Sequence, residues 1–274
     1  MSSRVAKLKR FLRAVLYRTG LIAVHFRVLE HKLVRGREAP PPADEGGIPI
    51  PPLALMVRTV GHADWRAFLR TGKATAEALD GHAKAAGLGF AQARRILDLG
   101  CGCGRVIRHL PAMTQAELYG ADYNKSLLSW CAENLPGRYL RNGLNPPLKV
   151  SDDQFDIVYL LSVFTHLRIP TQRIWLQEFA RIIRPGGLAL ITFHEETHMG
   201  FPDTPEARAA IAAKGFYYNN NMVEGSNLIS TFQTKALAEE IFSAYFEIVR
   251  IAPSEEAGVG QSLAVLRARA VPEK

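Results

Sequence analysis

Apolar residues recur at three- and four-residue intervals through residues 3–34: Val5, Leu8, Leu12, Val15, Leu16, Ile22, Phe26, Leu29 and Leu33. That is the period of a helix with one apolar face. Lys9, Arg10, Arg13, Arg27, Lys32 and Arg35 fall on the other side of the wheel. Beyond Gly20, Leu21, Val24 and Val28 carry apolar character onto that side too, which predicts a more buried second half. Residues 39–52, rich in proline and glycine, break all periodicity and read as a linker. Helical spacing returns over 62–86 with Trp65, Phe68, Leu69, Ala76 and Leu79, and the pattern predicts two pieces broken at Gly72. Short apolar runs then alternate with helical stretches. Strands are expected at 94–99, 116–121, 138–141, 155–161 and 187–193, with helices at 105–113, 124–134 and 170–182. This order implies an α/β fold with a doubly wound parallel sheet. A helix at 204–213, an aromatic Asn-rich loop at 216–222, a helix at 234–243 and two strands at 246–251 and 262–267 complete the chain.

The first of these strands runs into Asp98-Leu99-Gly100-Cys101-Gly102-Cys103-Gly104-Arg105. Alternate glycines permit positive φ in a tight turn and remove Cβ atoms from the path of a ligand. A helix start after the turn would offer free N–H groups. The spacing does not fit the dinucleotide fingerprint, because the third glycine comes one residue early, and Gly-Lys-Ser/Thr for a triphosphate is absent. Asp98 would repel a pyrophosphate but suits an ammonium group. Asp122, at the end of the second strand, is placed to accept from both hydroxyls of a ribose. A ligand with a ribose, a cationic amino-acid part and no phosphate is S-adenosylmethionine (SAM).

Residues 98–104 resemble the first motif of class I SAM-dependent methyltransferases. Asp122 matches the ribose-binding acid of that family. Phe155-Asp156-Ile157-Val158-Tyr159 resembles its fourth strand, and Arg184-Pro185-Gly186-Gly187 the turn into its fifth. The resemblance covers roughly residues 91–269 and implies a seven-stranded Rossmann-like methyltransferase fold closed by an antiparallel pair. The expected organisation is a basic amphipathic helical arm (1–38), a linker (39–52), a helical cap (53–90) and the SAM-binding domain (91–274).

Charge locates a second feature. The chain has 34 Lys and Arg against 26 Asp and Glu. Ten of those basic residues, against only Glu30 and Glu38, lie in residues 1–38, so the remainder is neutral. Composition therefore argues against a nucleic-acid-binding catalytic domain. Arg13, Arg18 and Arg27 interrupt the apolar run, which excludes a spanning helix. The arm suits either an anionic membrane surface or docking on its own domain or a second subunit. Cys101, Cys103 and Cys131 form neither a disulfide framework nor a zinc spacing and read as free thiols in a reducing cytoplasm.

What the resemblance implies for the site can be carried over position by position. Asp98, Gly100, Cys101, Gly102, Gly104 and Arg105 would hold the methionine end. Asp122 would hold the ribose. Tyr123, Asn142, Gly143 and Leu144 would surround the adenine, and Ser162 would follow the fourth strand. The segment before the first strand is expected to bring Trp65, Phe68 or a Thr71-Gly72 turn towards the cofactor. His166, just past that strand, and His194, past the fifth, are candidate bases for a hydroxyl acceptor. His194 and His198 with Glu195 and Glu196 lack helical metal-site spacing, so no metal is expected. Asn145-Pro146-Pro147-Leu148 resembles the clamp of amino methyltransferases, but it precedes the fourth strand and lacks the aromatic. The expected reaction is methyl transfer from SAM to a small molecule or glycan, at oxygen. The alternatives are a noncatalytic SAM-binding scaffold on a membrane and a nicotinamide enzyme.

Overall fold

The computed structural model describes residues 22–219, 223–226 and 228–269, with side chains from residue 26. The first part of the predicted arm, residues 1–21, and residues 220–222 of the aromatic loop lie outside the described residues. The chain divides into two compact units after Phe68.

In the first unit, helix α1 (Ile22–Val34) and helix α2 (Leu53–Val60) are joined by a charged fork. Arg58 donates through Nε and Nη2 to both Glu30 carboxylate oxygens, at 2.7 and 3.0 Å. Asp44 turns the intervening chain by accepting from the N–H groups of Gly46 and Ile48 at 3.0 Å. Helix α2 starts behind Pro52 and stops at Gly61, whose φ of 78° places it in the left-handed region. The expected burial of the second half of the arm does not hold for its described side chains. Phe26, Val28 and Leu29 are 40–48% exposed. An apolar helix face needs a neighbouring element along its whole length to be covered, and sequence periodicity alone does not supply one.

The second unit begins within helix α3 (Trp65–Ala85), which runs unbroken through Gly72. The predicted break is absent for a steric reason. A Cβ on Gly72 would lie 2.1 Å from the carbonyl oxygen of Arg105, so glycine lets the helix approach the backbone of the glycine turn. Strands β1 (Arg95–Leu99), β2 (Glu117–Asp122), β3 (Arg138–Arg141) and β4 (Phe155–Leu160) form in the expected places. Their order is β3-β2-β1-β4-β5, all parallel. Reversal of direction on either side of β1 makes the end of β1 the crevice in which such sheets bind ligands.

Helix α4 (Lys125–Asn134) starts on Asn124, whose side chain accepts from Ser126 and Leu127 N–H. Helix α5 (Ile169–Ile182) has proline in its first turn, where the missing N–H costs nothing. Strand β5 (Ile183–Glu195) starts four residues earlier than predicted. Ile183 pairs with Phe155 and Leu188 with Ile157, so a bulge absorbs the Arg184–Gly187 turn within the strand. Helix α6 (Pro205–Lys214) follows.

Two further strands were not expected. The aromatic stretch read as a loop is strand β6 (Phe216–Asn219), paired antiparallel with β7 (Ser230–Gln233). This ribbon hangs on the far end of β5, where His194 pairs with Phe232. Helix α7 (Lys235–Ser243), strand β8 (Phe246–Ala252), the short helix α8 (Ser254–Ala257) and strand β9 (Ser262–Ala268) follow. Strand β9 lies antiparallel between β5 and β8 and completes the seven strands expected, and the β6–β7 ribbon on the end of β5 extends the sheet to nine. One face is packed by Trp175 and Phe179 of α5 and Phe242 of α7, with Phe164 stacked on Phe179 at 6.2 Å and Phe193 edge-on to Phe242 at 5.7 Å. Each such ring contributes about 1.5–3 kcal/mol on burial. A rigid sheet results, and the site is built on its strand ends.

Candidate active site

The turn after β1 is pinned from two sides. Gly100 and Cys101 N–H both donate to the Ala121 carbonyl at the end of β2, at 2.7 and 3.1 Å. Gly102 N–H donates to Asp122 Oδ2 at 2.9 Å, and Asn124 N–H to Oδ1 at 2.7 Å. Asp122 is therefore a hinge pin of the turn, and each of its oxygens keeps a lone pair for a further donor. Gly100 and Gly104 have φ of 77° and 79°. Their missing Cβ atoms make room for protein rather than for a ligand: a Cβ would meet Val163 at 2.4 Å and Leu135 at 2.3 Å respectively. Cys101, Cys103 and Cys131 are buried free thiols. The Cys131 thiol points at the Gly102 carbonyl, 3.4 Å away. The helix expected at 105–113 is instead a 3₁₀ segment, Ile107–Ala112, with Pro111 inside it. Proline denies an α-helix its backbone donor there.

Asp98 is fully buried within β1. Its Oδ2 accepts from the Tyr159 hydroxyl at 2.9 Å, and the Ile107 N–H is directed at the same carboxyl. Burial pushes its pKa up to about 7, against the pull of Tyr159 and Arg105. Asp122 is shifted upward by the same cause, and its two backbone donors oppose the shift. Arg105 lies alongside α3, donating to Thr75 Oγ1 at 3.2 Å, and burial lowers its pKa while Asp98 opposes that shift. The site thus holds two carboxyls that ionise at a cost unless a cation or hydroxyl donors arrive.

A family model described as a methyltransferase domain matches residues 96–187, which span β1 to the start of β5 and include every residue of this turn. Residues 96–187 form a methyltransferase domain. The fatty-acid O-methyltransferase of Mycolicibacterium smegmatis is 31% identical over 44% of this chain, which spans 43% of that protein's length. The chain thus covers less than half of this relative. Among solved structures, the 1,6-didemethyltoxoflavin-N1-methyltransferase of Burkholderia thailandensis shares the fold at a TM-score of 0.54 and 15% identity, over 79% of this chain and 85% of that one. CalS10, an amino pentose methyltransferase of Micromonospora echinaspora, does so at 0.52 and 17%, over 74% and 96%.

The donor set of this methyltransferase domain fits SAM. Asp98 suits the ammonium group, and the spare lone pairs of Asp122 suit ribose hydroxyls. Asn142 Oδ1 is buried and accepts no hydrogen bond among the described residues, while its Nδ2 donates to the Gly143 carbonyl at 2.8 Å. Asn142 N–H reaches the Asp122 carbonyl at 3.4 Å, which ties the end of β3 to the end of β2. Tyr123 and Leu144 expose 52% and 42% of their surface at these strand ends. Ser162 has φ of 57° just after β4. Its N–H donates to Thr192 and its hydroxyl accepts from Gln261 at 2.7 Å, so it shapes the loop.

The two histidines occupy different surroundings. His166 closes the 3₁₀ turn Phe164–His166, and its Nδ1 lies 2.7 Å from the Ile229 carbonyl. A carbonyl only accepts, so Nδ1 carries the proton and Nε2 presents a lone pair. Burial lowers the His166 pKa, with the Ile229 carbonyl opposing. His194 is stacked on His198 at 4.1 Å and Phe232 at 5.2 Å. Its Nδ1 is buried with no partner among the described residues. Burial, then the neighbouring imidazoles of His198 and His166, push its pKa down to about 3.

Sequence reasoning missed Tyr159, Thr75, Thr192 and Gln261 as supports of the site. A signal existed for Tyr159. Asp98 and Tyr159 are direct partners in the parallel β1–β4 pair, so their side chains share a face. The others come from distant segments whose register no local pattern reveals. Trp65 and Phe68, expected near the cofactor, belong to the first unit.

Proposed function

We propose that the protein is a SAM-dependent methyltransferase that modifies a hydroxyl of a small molecule or glycan, with His166 as general base. The observation that carries this reading is the pair of buried carboxyls at the ends of β1 and β2, each lacking a full complement of donors. When bound, SAM supplies a sulfonium methyl, and attack by the acceptor oxygen breaks the carbon–sulfur bond and leaves neutral S-adenosylhomocysteine. The chain's own work is to bind, orient and take up the acceptor's proton. His166 is suited to taking up that proton, because it is neutral at pH 7, its tautomer is fixed by Ile229, and Nε2 is the basic nitrogen. His194 holds a proton too weakly for that role.

The names of relatives are compatible with small-molecule or lipid acceptors, and the O-methyltransferase of Mycolicibacterium smegmatis supports oxygen as the target. The test is transfer of labelled methyl from SAM to a panel of hydroxylated acceptors. Label should appear in at least one, and the His166→Gln variant should lose it. Binding of S-adenosylhomocysteine without transfer to any acceptor would instead support a noncatalytic SAM-binding protein.

No helix among the described residues is long and apolar enough to cross a membrane. The basic residues of 1–38 and the exposed Phe26, Val28 and Leu29 support peripheral attachment to an anionic surface at the cytoplasmic face. Co-sedimentation with phosphatidylserine vesicles should be lost on deletion of residues 1–38, and retention would remove the reading.

A further inference from the structure

We infer that Glu224 is a positioning residue for the candidate base: with Gly225 and Ile229 it forms a clip that holds the His166 turn and leaves Nε2 as the basic ring nitrogen. The inference rests on the reading of His166 as general base given above.

The turn is short. Phe164–His166 make a single 3₁₀ turn after β4, in which His166 N–H donates to the Val163 carbonyl at 2.9 Å. Val163 leans on the glycine turn, its Cγ2 lying 2.4 Å from where a Gly100 Cβ would stand. One side of the turn is therefore set by the turn after β1. A 3₁₀ turn has few internal hydrogen bonds of indifferent geometry, so a fixed ring orientation needs a second hold from outside it.

That hold comes from the chain just before β7. Gly225 N–H donates to the His166 carbonyl at 2.9 Å, and the Ile229 carbonyl accepts from the ring Nδ1 at 2.7 Å. The backbone and the ring of one residue are thus gripped by the same segment. Ser226 sets the spacing of the two grips. Its hydroxyl donates to the Val223 carbonyl at 2.7 Å and accepts from Leu228 N–H at 3.2 Å, and Ile229 N–H reaches the Ser226 carbonyl at 3.2 Å.

Glu224 anchors the segment to the turn. Its Oε2 lies 3.5 Å from the Arg168 guanidinium, a long contact to a side chain 39% exposed, which contributes little. The stronger contact is at Oε1, which accepts from Arg168 N–H at 2.8 Å. There a carboxylate only 13% exposed meets a backbone donor at the start of α5, where an anion is favoured. Every residue of the clip lies beyond the stretch 96–187 that the family model matches, so this hold on the base is supplied from outside it. An imidazole released from the Ile229 carbonyl can carry its proton on either nitrogen, and a ring with Nε2 protonated cannot take up a proton there.

The test is the ring tautomer of His166 in the full chain, read at neutral pH from long-range proton–nitrogen correlation spectra and assigned by the signal missing from His166→Gln. Wild type should show Nδ1–H and an unprotonated Nε2. Glu224→Ala should bring in the Nε2–H form and lower kcat for methyl transfer to the hydroxylated panel about tenfold, with S-adenosylhomocysteine affinity unchanged by calorimetry. Glu224→Gln, whose amide oxygen still accepts from Arg168 N–H, should restore the wild-type tautomer and most of the rate. Ser226→Ala, which leaves Glu224 in place, should shift the tautomer in the same direction as Glu224→Ala. An Nε2–H ring in wild type, or the wild-type tautomer in a folded Glu224→Ala, overturns the inference. Where that variant does not fold, the wild-type tautomer in Ser226→Ala overturns it. Affinity for S-adenosylhomocysteine that falls together with kcat in Glu224→Ala also overturns it, in favour of a general structural role. A tautomer that responds as stated, in a protein whose His166→Gln variant transfers methyl at the wild-type rate, upholds the clip and overturns His166 as base.

Discussion

The buried Asp98 carboxyl should make cofactor binding pH-dependent, and replacing it should trade binding for stability. Its pKa is raised from 3.8 to about 7, with burial as the leading cause. That gap corresponds to about 4 kcal/mol. The sign follows from linkage: the neutral carboxyl favours the folded state, so this contribution is full below pH 3.8 and is lost as pH rises to about 7. Above pH 7 the apo protein carries an ionised carboxylate that only Tyr159, Ile107 and Arg105 offset. A ligand ammonium group would offset it further. Affinity for S-adenosylhomocysteine should therefore rise as pH increases from about 5.5 to 7 and level off above. Asp98→Asn keeps the shape and the oxygen that Tyr159 reaches but cannot ionise. At pH 8 this variant should unfold at a higher temperature than wild type, with about 4 kcal/mol as the upper bound of the gain, and bind the ligand more weakly. Thermal denaturation from pH 5 to 9, with calorimetric titration at the same pH values, reads both effects. Asp122→Asn in parallel removes the contribution of the second raised carboxyl. Affinity that is flat across this range in wild type, together with no stabilisation of Asp98→Asn at pH 8, would rule out the linkage.

Three further outcomes follow. His166→Gln should lower kcat on a hydroxyl acceptor by about 10²–10⁴, and the acidic limb of the wild-type kcat/KM profile, lying below pH 6.5 because burial lowers the His166 pKa, should disappear. Gly72→Ala should destabilise the protein by more than about 1 kcal/mol in denaturant titration, because its Cβ would lie 2.1 Å from the Arg105 carbonyl, whereas Gly81→Ala, with open space at its Cβ, should not. Asp156→Ala should cost about 1–3 kcal/mol, since its carboxylate accepts Arg94 and Arg95 N–H at 2.8 Å and the Arg184 guanidinium at 2.5 Å.

The central sheet was legible in the sequence because its strands are short apolar runs bounded by turn residues, and β1 to β4 formed within one residue of the expected positions at every end. The glycine turn and Asp122 were legible for the same reason: each sits directly after such a run. What escaped was decided by distant chain. Gly72 looks like a helix breaker until the Arg105 carbonyl is placed against it. Phe216-Tyr217-Tyr218-Asn219 looks like an aromatic loop until Ser230–Gln233 supplies backbone partners. The 107–112 segment had a local warning in Pro111, and the helical reading overlooked it. In the site, residue types gave the carboxyls and histidines. The tautomer of His166 depends on the Ile229 carbonyl, which lies 63 residues away in the chain.

The most direct test of a SAM site at the ends of β1 and β2 is calorimetric titration of the full chain with S-adenosylhomocysteine, for wild type and Asp122→Ala. Asp122 both pins Gly102 and Asn124 and offers lone pairs to the ribose. Wild type should show saturable one-to-one binding. The variant should lose at least about a hundredfold in affinity, from two or more hydrogen bonds at about 1–3 kcal/mol each for groups left unpaired. No binding by wild type, or equal binding by both proteins, would contradict the assignment.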